Sequence, residues 1–185
     1  MSFDVPQSVR ILVVDDVEIW REQVCSIVEK QPDWQVVSEA SDGLEAVHKA
    51  RELKPDLILL DIGLPNLNGI EVAHRVCKTV PNTKVLFVTQ EDDAEVVLGA
   101  LNNGAKGYVL KSDVGRELLP AIKAVLRGEA CVSSRISHKV SSAGEGDLFS
   151  PPQASQITQL RLHQPNRDNP CQRGSSVQHQ GFCTG

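Results

Sequence analysis

Five side chains in this chain have types and positions that suit phosphoryl chemistry. Asp15 and Asp16 follow the apolar run Ile11 to Val14, and Asp61 follows Leu57 to Leu60. Thr89 ends VLFVT, and Lys111 follows GYVL. Three carboxylates brought together in a poorly solvated cleft repel one another by several kcal/mol and call for a compensating cation. An all-oxygen donor set with few protein ligands suits Mg²⁺, which keeps several waters. A hydroxyl donor and an ammonium facing the same cleft would complete an acceptor site for a phosphoryl group, by offering hydrogen bonds and positive charge to its oxygens. A carboxylate so placed is a competent nucleophile towards phosphorus.

Those residues converge only if the elements before them lie side by side. Candidate strands are Arg10 to Val14, Gln35 to Glu39, Leu57 to Leu60, Lys84 to Val88 and Gly107 to Leu110, all rich in aliphatic or β-branched residues. Between them run segments with one apolar stripe at helical spacing. The stripes are Val17, Trp20, Val24, Ile27 and Val28; Val47 and Ala50; Ile70, Ala73, Val76 and Cys77; Val96, Val97, Ala100 and Leu101; and Leu118, Leu119, Ile122, Val125 and Leu126. Asp42 with Glu45 three residues on is a capping-box signal, and Asp92 or Asp93 could cap the fourth helix. Pro120 suits the fifth helix only in its first turn, since it lacks an N–H and crowds the preceding turn. Strict alternation predicts an α/β fold, a doubly wound five-stranded parallel sheet with helices on both faces. In such a sheet ligands bind beyond the carboxyl ends of the strands, where the five residues stand.

VVDD, LLDIGLPNLNGIE, VLFVTQ and GYVLK, in this order, resemble the receiver domain of bacterial two-component response regulators, which has a flavodoxin-like fold. The likeness runs over roughly Arg10 to Gly128, and GAKGYVLKSD and VLRGE resemble the class usually joined to a LuxR-type helix-turn-helix. The resemblance implies that Asp61 accepts a phosphoryl group from a sensor histidine kinase. It implies that Asp16, Asp61 and the Gly63 carbonyl hold Mg²⁺, with Asp15 acting largely through water, and that Thr89 and Lys111 contact the phosphoryl oxygens. Tyr108 matches the switch position, where movement of Thr89 lets an aromatic ring turn inward and remodels the surface of the fourth helix and fifth strand. That surface, with the fifth helix, is the expected site of homodimerisation. The sequence departs from the pattern at Gln90, where a small residue is usual, at Gly63, which offers no side chain beside the acceptor, and at Ser112, which replaces a proline after Lys111 and leaves the isomer of that bond open.

Blander roles compete for each residue. Asp16 could cap a helix, Thr89 could open a loop, Lys111 could be a solvated strand end and Tyr108 could simply pack. Their joint occurrence in order favours the functional reading. His48 and His74 lack a second ligand at metal spacing, Trp20 and Trp34 have apolar neighbours suited to packing, and GLPNLNG lacks the Gly-Lys-Ser/Thr ending of a P-loop. A Mg²⁺-dependent aspartyl phosphatase of the haloacid dehalogenase type would need a second Asp two residues after the nucleophile, where Asp15 has Val17 and Asp61 has Gly63. A phosphate-independent scaffold is disfavoured because the acidic pair, acceptor, Thr and Lys are all present.

The chain of 185 residues has room for one ordinary domain and an appendage. No apolar run exceeds four residues, and MSFDVPQSVR has no basic or apolar leader pattern, so a cytoplasmic protein is expected. Five cysteines without a C-x-x-C argue against a disulfide framework or zinc knuckle. The last 49 residues, from Ser137, hold four Pro and five Gly and show no apolar period, so ordering them would cost about 1 to 2 kcal/mol per residue without a core to offset it. We therefore read residues 1–9 as an N-terminal extension, 10–128 as the receiver domain, and 129–185 as a linker and largely disordered tail. Residues 137–185 contain 4 of the 19 basic and 3 of the 24 acidic residues, leaving residues 1–136 at a net charge of -6 and giving no footprint for specific DNA binding. A receiver of this class joined abruptly to such a tail suggests a reading-frame disruption, which the other two frames of the gene would reveal.

Overall fold

The structure, a computed structural model, describes residues 8–137. Strands and helices alternate: β1 (Val9–Val14), α1 (Glu18–Val28), β2 (Trp34–Ala40), α2 (Gly43–Leu53), β3 (Leu57–Leu60), α3 (Gly69–Thr79), β4 (Lys84–Thr89), α4 (Ala94–Asn102), β5 (Gly107–Leu110), a 3₁₀ turn (Lys111–Asp113), α5 (Val114–Leu126) and β6 (Cys131–Val132). All strand pairs are parallel, in the order β2-β1-β3-β4-β5-β6.

The continuous apolar runs of the central strands are explained by burial on both sides. Ile11, Val13, Leu57, Leu59, Leu86, Val88 and Val109 pack with α1 and α5. Their neighbours Leu12, Val14, Ile58, Leu60, Val85, Phe87 and Tyr108 pack with α2, α3 and α4. Successive side chains of a strand point to opposite faces, so a strand between two helical layers has no polar positions.

The sheet has six strands, not the five expected. β6 is only two residues long, too short to show a period, and it exists because β5 begins with glycine. A Cβ on Gly107 would lie 2.9 Å from the Cys131 carbonyl oxygen and 2.7 Å from Leu86 Cδ1. With that space open, Cys131 N–H donates to Lys106 O (3.1 Å) and Ser133 N–H to Tyr108 O (2.7 Å). The chain then enters a helical turn at residues 134–137.

Helix starts follow the expected chemistry at α2, where Asp42 Oδ1 accepts from the N–H groups of Leu44 and Glu45, and at α4, where Asp93 rather than Asp92 is the cap. Asp16 caps nothing: the residue before α1 is Val17, exposed and without a side-chain cap, although its spacing had placed it on the apolar stripe. Pro120 lies in the middle of α5 rather than in its first turn. It stands on the exposed side of the helix, as does Arg116 four residues earlier, whose carbonyl it cannot donate to. The Lys111–Ser112 bond is trans. Among the described residues no cysteines are joined in a disulfide, Cys77 Sγ lies 3.8 Å from Gly104 O, and burial pushes the Cys25 thiol up to about 11. No helix among the described residues is long and apolar enough to cross a membrane. The tail expectation, including Cys171 and Cys183, concerns positions outside the described residues, save for the stretch 129–137.

Candidate functional site at the carboxyl ends of the strands

The parallel register sets the strand ends beside one another: Val14 pairs with Leu60, Leu60 with Phe87, and Thr89 with Leu110. Asp15 and Asp61 therefore leave adjacent strands together, and backbone bonds fix them there. Asp15 N–H donates to Ala40 O (3.1 Å), and Asp61 N–H donates to Val14 O (2.9 Å). Carboxylate oxygens of Asp15, Asp16 and Asp61 all lie within 4.8 Å of one another, with Asp15 and Asp61 buried and Asp16 exposed.

Lys111 binds this cluster from the other side. Its Nζ stands 2.6 Å from Asp15 Oδ2 and 3.0 Å from Asp61 Oδ2, and all three side chains are almost wholly shielded from solvent. Burial holds the Asp15 carboxyl above the usual range, while the bonds from Lys111 and from the Val17 N–H (3.0 Å) pull the other way. Asp61 Oδ1 accepts from the Ile62 N–H at 2.8 Å.

The loop after Asp61 carries the chain from β3 into α3. Asn68 caps α3 by accepting from Glu71 N–H (2.9 Å), and Gly69 N–H donates to Ile62 O (2.9 Å). A Cβ on Gly69 would sit 2.0 Å from the Asp61 carbonyl oxygen, so the start of α3 can approach the end of β3 this closely only with glycine there. Beside Gly63 there is more space, since a Cβ would be 3.7 Å from Asp61 Oδ2.

Thr89 is buried at the end of β4, and its hydroxyl oxygen accepts from Glu91 N–H at 3.3 Å. Tyr108 is wholly buried with its ring already inward, 6.0 Å from the Phe87 ring centroid, and its hydroxyl donates to Glu91 O (2.8 Å). Burial, followed by the charge of Glu91, pushes its phenol well above the ordinary value. Glu91 thus links the two positions, through its N–H to Thr89 and its carbonyl to Tyr108.

Sequence reasoning missed two neighbours. The Trp20 ring centroid lies 5.6 Å from Lys111 Nζ, close enough for a cation–π contribution, so this tryptophan packs against the site. Arg21 donates to Asp15 O (2.8 Å) and pairs with Glu39 (3.1 Å), bracing the first acidic residue from behind. No spacing rule points from a helix residue to a backbone carbonyl six positions earlier.

Comparisons with known proteins agree with this geometry. The family model described as the response regulator receiver domain matches residues 11–123. The chain is 37% identical over 134 residues to the transcriptional regulatory protein LiaR of Bacillus subtilis, covering 72% of this chain and 64% of that protein. It is 34% identical to DegU of Brevibacillus brevis, covering 71% and 56%. The chain thus spans about three fifths of the length of these curated relatives. Among solved structures, a LuxR-family two-component response regulator from Aurantimonas superposes with a TM-score of 0.71 at 34% identity, covering 74% of this chain and 97% of that one. The receiver domain of the putative response regulator NarL from Mycobacterium tuberculosis gives 0.64 at 33%, covering 67% and 100%. The site geometry, the sheet order and these matches lead to one conclusion: this chain belongs to the response regulator receiver domain family.

Proposed function

We propose that the chain is a phosphorylation-driven switch in which Asp61 accepts a phosphoryl group from a sensor histidine kinase. The observation that carries this reading is the buried Lys111 ammonium set between Asp15 and Asp61, with Asp16 at the open side. Asp61 stands at the end of a central strand and is held by its own backbone, as a nucleophile should be. Lys111 is already within bonding distance of the oxygen that would carry the phosphoryl group, and Thr89 supplies a buried hydroxyl from the adjacent strand.

The donor set suits Mg²⁺: hard carboxylate oxygens close together, one of them exposed so that waters can complete the shell. Asp15, Asp16, Asp61 and the Gly63 carbonyl are the residues that would hold it, and the ion would supply positive charge to the phosphoryl oxygens. The protein is a signalling module rather than an enzyme acting on an external substrate. It would act in the cytoplasm in a two-component phosphorelay, and its resemblance to LuxR-class regulators associates it with transcription. Its output surface is the face made by α4, β5 and α5, through which we infer homodimerisation.

Incubation with acetyl phosphate and Mg²⁺, followed by trapping and mapping of the acyl phosphate, tests the assignment. Label on Asp61, lost in Asp61→Ala, is expected; label on Asp15 or Asp16 that persists in Asp61→Ala overturns it.

A further inference from the structure

A recess of about 130 Å³ lies at the ends of β4 and β5, lined by Gln90, Asp92, Leu110, Lys111, Ser112 and Arg135. It is well below the roughly 300 to 1,000 Å³ of pockets for drug-sized ligands, so it suits a group of a few atoms. The Gln90 amide and the Arg135 guanidinium are donors at this recess, against one carboxylate from Asp92, while the Lys111 ammonium is held by Asp15 and Asp61 and the Ser112 hydroxyl donates to Asp113 Oδ2. Lys111 is common to the recess and the carboxylate site, since it lines the one and its Nζ stands 3.0 Å from Asp61 Oδ2 in the other.

Arg135 belongs to the helical turn at 134–137, beyond α5 and β6 and outside the residues matched by the family model. The turn is anchored to α5: Ser134 Oγ donates to Glu117 Oε1 at 2.6 Å, and Ser133 Oγ donates to Glu117 Oε2. Arg135 Nη1 in turn reaches Ser112 Oγ at 3.4 Å, which brings the guanidinium to the mouth of the recess.

We propose that this recess seats the departing group of an anionic phosphodonor and that Arg135 holds the charge released there. The proposal rests on the reading of Asp61 as phosphoacceptor. With an acyl phosphate, a carboxylate oxygen of Asp61 bonds to phosphorus as the bond from phosphorus to the acyl oxygen breaks. The electron pair of that bond leaves on the departing carboxylate. Negative charge grows on that oxygen in the transition state, where a guanidinium lowers the barrier, and its planar fork matches a carboxylate. A donor that departs as a neutral amine gains little from the same group.

The test compares two donors on the full chain with Mg²⁺, reading the rate of Asp61 labelling. Acetyl phosphate releases the acetate anion, whereas phosphoramidate releases ammonia once its nitrogen is protonated. Arg135→Gln is expected to slow labelling by acetyl phosphate roughly tenfold, the scale of one lost charge-assisted hydrogen bond, and labelling by phosphoramidate less than about twofold. Arg135→Lys should recover part of the acetyl phosphate rate. BeF₃⁻ affinity should stay unchanged in both variants, since that group mimics the phosphoryl moiety and not the leaving group. Equal slowing with both donors, or none with either, overturns the proposal. A wild-type chain labelled by neither donor overturns the phosphoacceptor reading, and this proposal with it.

Discussion

Lys111 and Asp16 divide the electrostatics of the site between them. Lys111 compensates the two buried carboxylates directly, so the site without a cation is not left with three unopposed charges. Asp16, exposed, adds negative field at the open side, where it contributes nothing to packing and caps no helix. Asp16→Asn should therefore weaken Mg²⁺ binding while leaving the stability of the metal-free protein unchanged or slightly higher, because it removes repulsion and no buried contact. Mg²⁺ titration and urea denaturation of the same variant check the two halves. Unaltered affinity in both Asp16→Asn and Asp61→Asn would count decisively against a cation site here.

At the scale of elements, two junctions determine how the site is assembled, and each gives a prediction. The first is the contact of α3 with the acceptor strand. A Cβ at position 69 would meet backbone, the Asp61 carbonyl oxygen, at 2.0 Å. Gly69→Ala should destabilise the fold by roughly 1 to 3 kcal/mol as an overpacking change, and the shifted acceptor should be labelled more slowly by acetyl phosphate. Gly115→Ala serves as the control, since nothing lies within 4 Å of its Cβ position. The second junction is Glu117, which fastens Ser133 and Ser134 to α5. Partial burial raises its pKa, but the two serine hydroxyls more than offset this and leave it lowered from 4.5. A carboxylate with a depressed folded pKa adds stability that is present above its unfolded value and lost as pH falls through the folded one. The gap in urea midpoint between wild type and Glu117→Gln should thus be widest above about pH 5 and close as the pH drops below the ordinary glutamate range.

The same elements show what the sequence could and could not reveal. Strands β1, β3, β4 and β5 were legible because their runs are apolar on both faces, the edge strand β2 because of Val36 and Val37, and helices α2 and α4 because Asp42 and an aspartate before Ala94 announce them. The acceptor cluster was legible because in a parallel sheet the residue after each strand faces one cleft. β6 was not, since it depends on space left by Gly107 rather than on its own two residues. Nor was Pro120 in mid-helix, which is tolerated on the exposed side of α5. Trp20, Arg21 and Arg135 approach Lys111 or Asp15 through tertiary contacts from elements that carry no motif, and only the folded chain brings them together.

For the whole molecule, charge and surface point to protein association rather than to specific contact with DNA. With residues 1–136 at -6, phosphate repulsion opposes DNA binding, so the 185-residue chain should show no sequence-selective binding in titrations at two salt concentrations. On the face made by α4, β5 and α5, Leu98 is a large exposed apolar residue, 41% accessible. Glu91, bonded to both Thr89 and Tyr108, would give the proposed phosphorylation site a short physical path to that face. BeF₃⁻ with Mg²⁺ should then shift the mass in solution from monomer towards dimer as a change of populations. Leu98→Asp should abolish the shift without lowering BeF₃⁻ affinity, since Leu98 is exposed on α4, in the proposed interface, and away from the carboxylate cluster. Because the Tyr108 ring is wholly buried, Tyr108→Ala would open a cavity and confuse loss of folding with loss of signalling. Tyr108→Phe keeps the packing and removes only the bond to Glu91 O, so it is the cleaner variant. Its dimerisation should respond more weakly to BeF₃⁻. A response equal to that of wild type would sever Tyr108 from the switch, while Leu98→Asp would still report independently on the face itself.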